Sequence, residues 1–172
     1  MTAVAFRSDS GLAIKADNIL DLKLQSPKSF KYSENGKYLG VIDTCQVLLY
    51  LGSSFKHGIT TKTPPLEISF SPLGSWILIY EKYLKTDGTT DPVANVTMWD
   101  TDTGEMVWSW VQKLPNSWDG QWSQNENVFA RMINGAVSVW DLKGQSNFWK
   151  ITPQILKVEH LGSFSLSPGY FL

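Results

Sequence analysis

One short element recurs four times along the 172-residue chain: apolar residues at alternate positions, a serine, then a tight turn. The copies are Phe30-Lys31-Tyr32-Ser33-Glu34-Asn35-Gly36, Ile68-Ser69-Phe70-Ser71-Pro72-Leu73-Gly74, Gly120-Gln121-Trp122-Ser123-Gln124-Asn125-Glu126 and Phe164-Ser165-Leu166-Ser167-Pro168-Gly169. Asn35-Gly36 tolerates positive φ, and Pro72 and Pro168 pre-set φ at about −65° in a turn. A serine just before such a turn can hydrogen-bond its backbone groups. Each copy therefore reads as the opening hairpin of a repeated unit. Ser33, Ser71, Ser123 and Ser167 are 38, 52 and 44 residues apart, and the long interval holds a polar insertion that begins at Tyr83.

A second landmark keeps the same period. Val96-Thr97-Met98-Trp99-Asp100 and Val137-Ser138-Val139-Trp140-Asp141 both alternate, both end in Trp-Asp, and lie 41 residues apart. Gly104 and Gly144 follow where the chain would turn toward an outer strand. A period of about 40–45 residues with a Trp-Asp signature marks the WD-type propeller blade. The expected fold is all-β, a partial WD-type β-propeller of about three to four blades. Blades are expected at approximately 29–62, 65–112 and 117–152, with the start of the next over 158–172 and N-terminal strands within 2–15. In the third blade the first strand is expected over 117–123 and a weak outer strand over 148–151. A blade buries its faces only against its neighbours, so an open arc leaves two faces exposed and predicts self-association. A piece of a larger propeller is the favoured reading over a small four-bladed ring closed by the N-terminal segments.

Composition narrows the function classes. Fifteen basic and sixteen acidic side chains give a net charge of −1, without the basic excess through which nucleic-acid binders neutralise phosphates. The lysines over 23–31, 82–85 and 150–157 read as solvated surface. Cys45 is the only cysteine; a buried reduced thiol there fits a reducing compartment, and the cytoplasm is expected. The N-terminal apolar stretch is too short for a signal peptide, and no apolar run approaches the ~20 residues that span a bilayer. No membrane partner is expected.

No catalytic, cofactor or metal constellation is legible. His57, in a loop or outer strand, and His160 lack zinc-ligand spacing. Asp87, Asp91, Asp100 and Asp102 could be gathered into a cation site, but Asp100 ending a strand and Asp102 capping a turn is the simpler reading. Among the eight tryptophans, Trp108 and Trp110 share one strand face and Trp118 and Trp122 another. Each gains roughly 2–3 kcal/mol on burial between blades, so packing is favoured over base stacking; Trp149 fits either role.

Three stretches resemble the propeller domain of the eukaryotic translation initiation factor 2A family. They are Ile68-Ser69-Phe70-Ser71-Pro72 with Tyr83, Thr86-Asp87-Gly88-Thr89 and Pro92; Trp99-Asp100-Thr101-Asp102-Thr103-Gly104 with Trp110-Val111-Gln112-Lys113; and Trp118, Trp122-Ser123, Glu126 and Ala130-Arg131, continuing to Phe164 and Gly169. Arg7-Ser8-Asp9-Ser10-Gly11-Leu12 resembles the family's first strand and turn. The propeller of translation initiation factor 3 subunit b is the nearest competitor. The resemblance covers about the first third of the family's propeller and not its polar, helical C-terminal region. It implies a non-catalytic translation initiation factor whose propeller contributes to association with the small ribosomal subunit, initiator tRNA and mRNA, and with other initiation proteins. The alternatives are a general WD-repeat adaptor unrelated to translation and, third, a propeller hydrolase, which would need a convergent polar pocket. Loops carry contacts while blades hold them in place, so the insertion over 83–95 is the expected contact surface, with Lys82, Tyr83, Lys85, Asp87 and Asp91 as candidate residues.

Overall fold

The computed structural model describes residues 4–8, 11–15, 19–22, 27–85, 91–113, 115, 118–133, 136–142 and 153–157. All elements among the described residues are strands, and each sheet is an antiparallel meander in chain order. The first sheet has three strands, β1 Val4–Ser8, β2 Gly11–Lys15 and β3 Ile19–Leu22. The second comprises β4 Pro27–Tyr32, β5 Tyr38–Asp43, β6 Gln46–Leu51 and β7 Ser54–Thr60. The third comprises β8 Pro65–Phe70, β9 Trp76–Glu81, β10 Val96–Asp100 and β11 Met106–Trp110. The fourth comprises β12 Gln121–Trp122, β13 Val128–Ile133, β14 Ala136–Asp141 and β15 Gln154–Lys157.

The serine device is the same in three hairpins. The Ser33, Ser71 and Ser123 hydroxyls each accept a hydrogen bond from the amide five residues on, at Tyr38, Trp76 and Val128, all at 2.9 Å. Each serine amide also donates to the carbonyl of that same residue, at 2.9–3.0 Å. The position three after each serine has positive φ: Gly36 at 69°, Gly74 at 77° and Glu126 at 57°. A serine thus holds both strands of the hairpin at the point where the chain reverses. The fourth copy, at Ser167, lies outside the described residues.

Strand β9 explains why the units stack. Its side chains alternate between two cores, as the two-residue period of a strand requires. Ile77 and Ile79 join Tyr38, Ile42, Val47 and Leu49 of the preceding sheet. Leu78 and Tyr80 face the opposite way and join Phe129 and Trp140 of the following sheet and Trp118 of the link before it. A strand with a partner on each side needs no polar face, so Trp76-Ile77-Leu78-Ile79-Tyr80 is apolar throughout. Ile77, Leu78 and Ile79 are fully buried, worth roughly 1.5–3 kcal/mol each relative to exposure. The approach is closest at Gly40 on β5, where an added Cβ would lie 2.6 Å from the Ile68 Cδ1 atom. A side chain at this position would require the Ile68 side chain to shift.

The structure departs from the sequence reading in four places. Strand β3 was not expected. Strand β12 is two residues long, not the span 117–123, so Trp118 precedes the strand instead of sharing a strand face with Trp122. The outer strand of the fourth sheet is Gln154–Lys157, while the whole expected span 148–151, and Trp149 with it, lies outside the described residues. Cys45 is exposed: Asp43 pairs with Gln46, which leaves Thr44 and Cys45 as a two-residue turn, with Thr44 at a φ of 56°. A turn tip has no neighbouring sheet to cover it.

Candidate interaction surface

The meander order gives each four-stranded sheet two different ends. One end carries the serine turns and the β10–β11 turn; the other carries the β9–β10 insertion and the links between sheets.

The serine-turn end is tied together between sheets. The Asn35 side-chain amide donates to the Leu73 carbonyl in the next sheet's turn, while within the third sheet Thr101 Oγ1 joins two turns by donating to the Gly74 carbonyl at 2.6 Å. Asp100 ends strand β10 as expected, but the capping role expected of Asp102 is also its own. It is Asp100 that caps the β10–β11 turn, its Oδ1 accepting from the Asp102 and Thr103 amides at 2.8 Å. Asp102 points away to the preceding sheet, where it accepts from Tyr38 Oη and Lys56 Nζ. The two donors hold its carboxyl down at about 2. His57, on outer strand β7, places Nε2 3.0 Å from the Asp102 carbonyl oxygen. An added Cβ at Gly104, where φ is 72°, would sit 2.7 Å from His57 Nδ1. His57 is therefore packed into a joint between sheets. Among the described residues no group of three or more His, Cys, Asp or Glu side chains could hold a metal ion.

At the insertion end the base of the loop is clamped. Asn95 is buried; its Nδ2 donates to the Glu81 and Gln112 carbonyls at 3.0 Å, and its Oδ1 accepts from the Gln112 amide at 2.8 Å. Glu81, also buried, accepts from the Thr63 amide at 2.6 Å and the Thr63 hydroxyl at 3.1 Å. These contacts fasten the insertion to the β7–β8 link. Between them lies a shallow recess of about 240 Å3, open to solvent, lined by Lys62, Thr63, Glu81, Lys82, Leu84, Val93, Ala94 and Asn95. Leu84 and Val93 are exposed.

Of the residues picked from the sequence, Lys82 lines this recess; Lys85 and Asp91 are exposed on the insertion, Tyr83 is half-buried, and Asp87 lies outside the described residues. Sequence reasoning missed Lys62, Leu84 and Val93. Lys62 is 20 residues before Lys82; the pairing of Pro65 with Glu81 and the Glu81–Thr63 bonds bring it alongside.

Most tryptophans are structural. Trp110, Trp118 and Trp140 are buried in the core between the third and fourth sheets. Trp118 stacks on Tyr80 at 5.2 Å, and its Nε1 donates to Glu67 Oε2 at 3.0 Å. Arg131 is buried against this cluster, its guanidinium 4.3 Å from the centre of the Trp110 ring and its Nη2 donating to Gln112 Oε1 at 3.2 Å. Burial lowers its pKa to about 10.

This arrangement has relatives among known proteins. Over 142 residues, 80% of the chain, it is 32% identical to the protein named eukaryotic translation initiation factor 2A of Schizosaccharomyces pombe. The chain is a relative of eukaryotic translation initiation factor 2A. The Drosophila melanogaster initiation factor 2A is 26% identical over 152 residues, 84% of the chain. A solved structure described as the crystal structure of the eukaryotic initiation factor superposes with a TM-score of 0.82 at 26% identity, over 97% of this chain and 43% of that one. The fold is thus all-β and propeller-like, as the repeat implied. The chain spans about a quarter of the length of the initiation factor 2A sequences it matches, 23% and 24%. No family model matches the chain, and among the described residues no helix is long and apolar enough to cross a membrane.

Proposed function

We propose that this chain is a non-catalytic scaffold of translation initiation, working in the cytoplasm by contact with the small ribosomal subunit, and that the insertion end is its contact surface. The observation that carries the reading is the 32% identity to an initiation factor 2A across 80% of the chain. Two features support the choice of surface. The polar groups at the serine-turn end are largely spent on contacts between neighbouring sheets, such as Asn35 with Leu73 and Asp102 with Tyr38. The insertion end instead presents lysines and two exposed aliphatic side chains on a clamped base. Rigid elements that display a loop in this way suit recognition. Association with initiator tRNA, mRNA and other initiation proteins belongs to the same reading, with the ribosomal contact as its first step.

Co-sedimentation tests it. The chain is expected to enrich with purified small ribosomal subunits at low salt and to be released as salt rises, as a contact involving lysines requires. No enrichment over an unrelated WD-repeat protein of similar charge overturns the reading in favour of a general adaptor.

A further inference from the structure

The recess at the base of the insertion has an internal logic that narrows what it can hold. Buried polar groups at its base are engaged within the chain: Glu81 Oε2 by the Thr63 amide and hydroxyl, and the Asn95 amide by backbone groups of Glu81 and Gln112. What remains toward solvent is Leu84, 50% exposed, Val93, 42% exposed, and the side chain of Ala94. The two ammonium groups on the rim belong to Lys62 and Lys82, both exposed, and their aliphatic stems extend the apolar lining.

Shape excludes a further class. Pockets for small metabolites bury most of their ligand, whereas this recess is shallow and open to solvent. A nucleic acid is also a poor fit, since single strands are held by aromatic platforms and a basic groove, and among the described residues the lining has no aromatic side chain.

We propose that the recess is a docking site for an extended, acidic segment of a partner protein, which inserts one aliphatic side chain between Leu84 and Val93 and places flanking carboxylates against Lys62 and Lys82. The central apolar anchor with a charged rim is the usual anatomy of a small protein interface. The proposal rests on the insertion end being the contact surface and names the chemistry of its partner.

The test uses the whole chain and short fluorescent peptides read by anisotropy. One peptide carries a central leucine flanked by glutamates; the controls replace the leucine by serine, or the glutamates by lysines, and a poly-uridine oligonucleotide serves as the nucleic-acid probe. The leucine–glutamate peptide is expected to bind, and each peptide replacement to weaken binding at least roughly tenfold, the loss that one anchor worth about 1.4 kcal/mol produces. The same loss is expected for the chain variants L84S/V93S and K62E/K82E, whose altered side chains are exposed and leave the core intact. Equal binding of glutamate- and lysine-flanked peptides, no effect of L84S/V93S, or displacement of the peptide by the oligonucleotide overturns the proposal. Absence of peptide binding with ribosomal co-sedimentation intact removes the peptide site alone; absence of both removes the larger reading with it.

Discussion

The carboxylate of Glu126 accepts a hydrogen bond at 2.7 Å from the amide of Leu73, which belongs to the corresponding turn of the preceding sheet. Glu126 occupies the positive-φ position that glycine fills in the two earlier hairpins. A non-glycine residue in the left-handed region costs about 1–2 kcal/mol, and here the tie to the neighbouring turn offsets it. The peptide of Leu73 is engaged from both sides, since its carbonyl accepts from Asn35. Three successive sheets are thereby linked through one residue.

Replacing Glu126 separates the two effects. Glu126→Ala is expected to destabilise the chain by about 1.5–3 kcal/mol, the range for losing a hydrogen bond to a charged partner. Glu126→Gly, which relieves the backbone, should recover about 1 kcal/mol of that loss. Urea midpoints of the three proteins check this; equal stability of the Ala and Gly variants contradicts it.

Gly40 marks where the second and third sheets touch. An added methyl would fall 2.6 Å from Ile68 Cδ1, and overpacking of this kind costs about 1–3 kcal/mol. Ile68→Val removes that Cδ1 atom at a cost of about 0.5–1.5 kcal/mol by itself. The G40A/I68V double variant is expected to be more stable than the sum of the single losses predicts, because the clash is absent. Strict additivity in urea unfolding would mean that the sheets do not meet at this point.

Asp102 gives the stability of the chain a pH dependence of definite sign. Its carboxyl is held down to about 2, first by Lys56 and then by the Tyr38 hydroxyl, against about 3.9 when unfolded. A depressed acid stabilises the folded state above the unfolded pKa, and that contribution is lost as pH falls from about 4 toward 2. The Asp102 side chain is 65% exposed, so solvent screening limits the pair to about 0.2–1 kcal/mol. Asp102→Asn should flatten the urea midpoint between pH 4 and 2 relative to the parent. In 1 M salt at pH 7 the two proteins should converge; a difference unmoved by pH and salt would assign Asp102 no electrostatic role.

Arg131 is a buried cation on indole rings, with Nε lacking an acceptor. Its desolvation costs several kcal/mol, against about 2 kcal/mol from the ring contact and about 1.5–3 kcal/mol from the charged bond to Gln112. Arg131→Met is expected to leave stability unchanged or raise it, measured by thermal unfolding. A loss above about 2 kcal/mol would show that the guanidinium supports the core.

The parts of the fold readable from sequence are those decided within a few residues. A serine whose hydroxyl meets the amide five positions on writes its spacing directly into the chain, and three such hairpins stand at the expected places. Continuous apolar runs such as Ile77-Leu78-Ile79 likewise announce burial on both faces. What stayed hidden depends on contacts between sheets. Glu126 resembles any surface glutamate until Leu73 is brought beside it, and Asp102 reads as a turn cap until Tyr38 and Lys56 of the preceding sheet are brought to its carboxylate. Lys62 joins Lys82 through the pairing of Pro65 with Glu81 and the Glu81–Thr63 bonds, the latter written in no local pattern. Cys45 shows the opposite error: an apolar neighbourhood in sequence suggested burial, although the residue sits at a turn tip.

Hydrogen–deuterium exchange of the chain with and without purified small ribosomal subunits tests the central claim most directly, because it reports contact and its location together. Added subunits are expected to slow exchange at 61–64, 81–85 and 91–95 and to leave the turns at 33–37 and 71–75 unchanged. Slowed exchange confined to the serine-turn end, or no change at either end, would contradict the account.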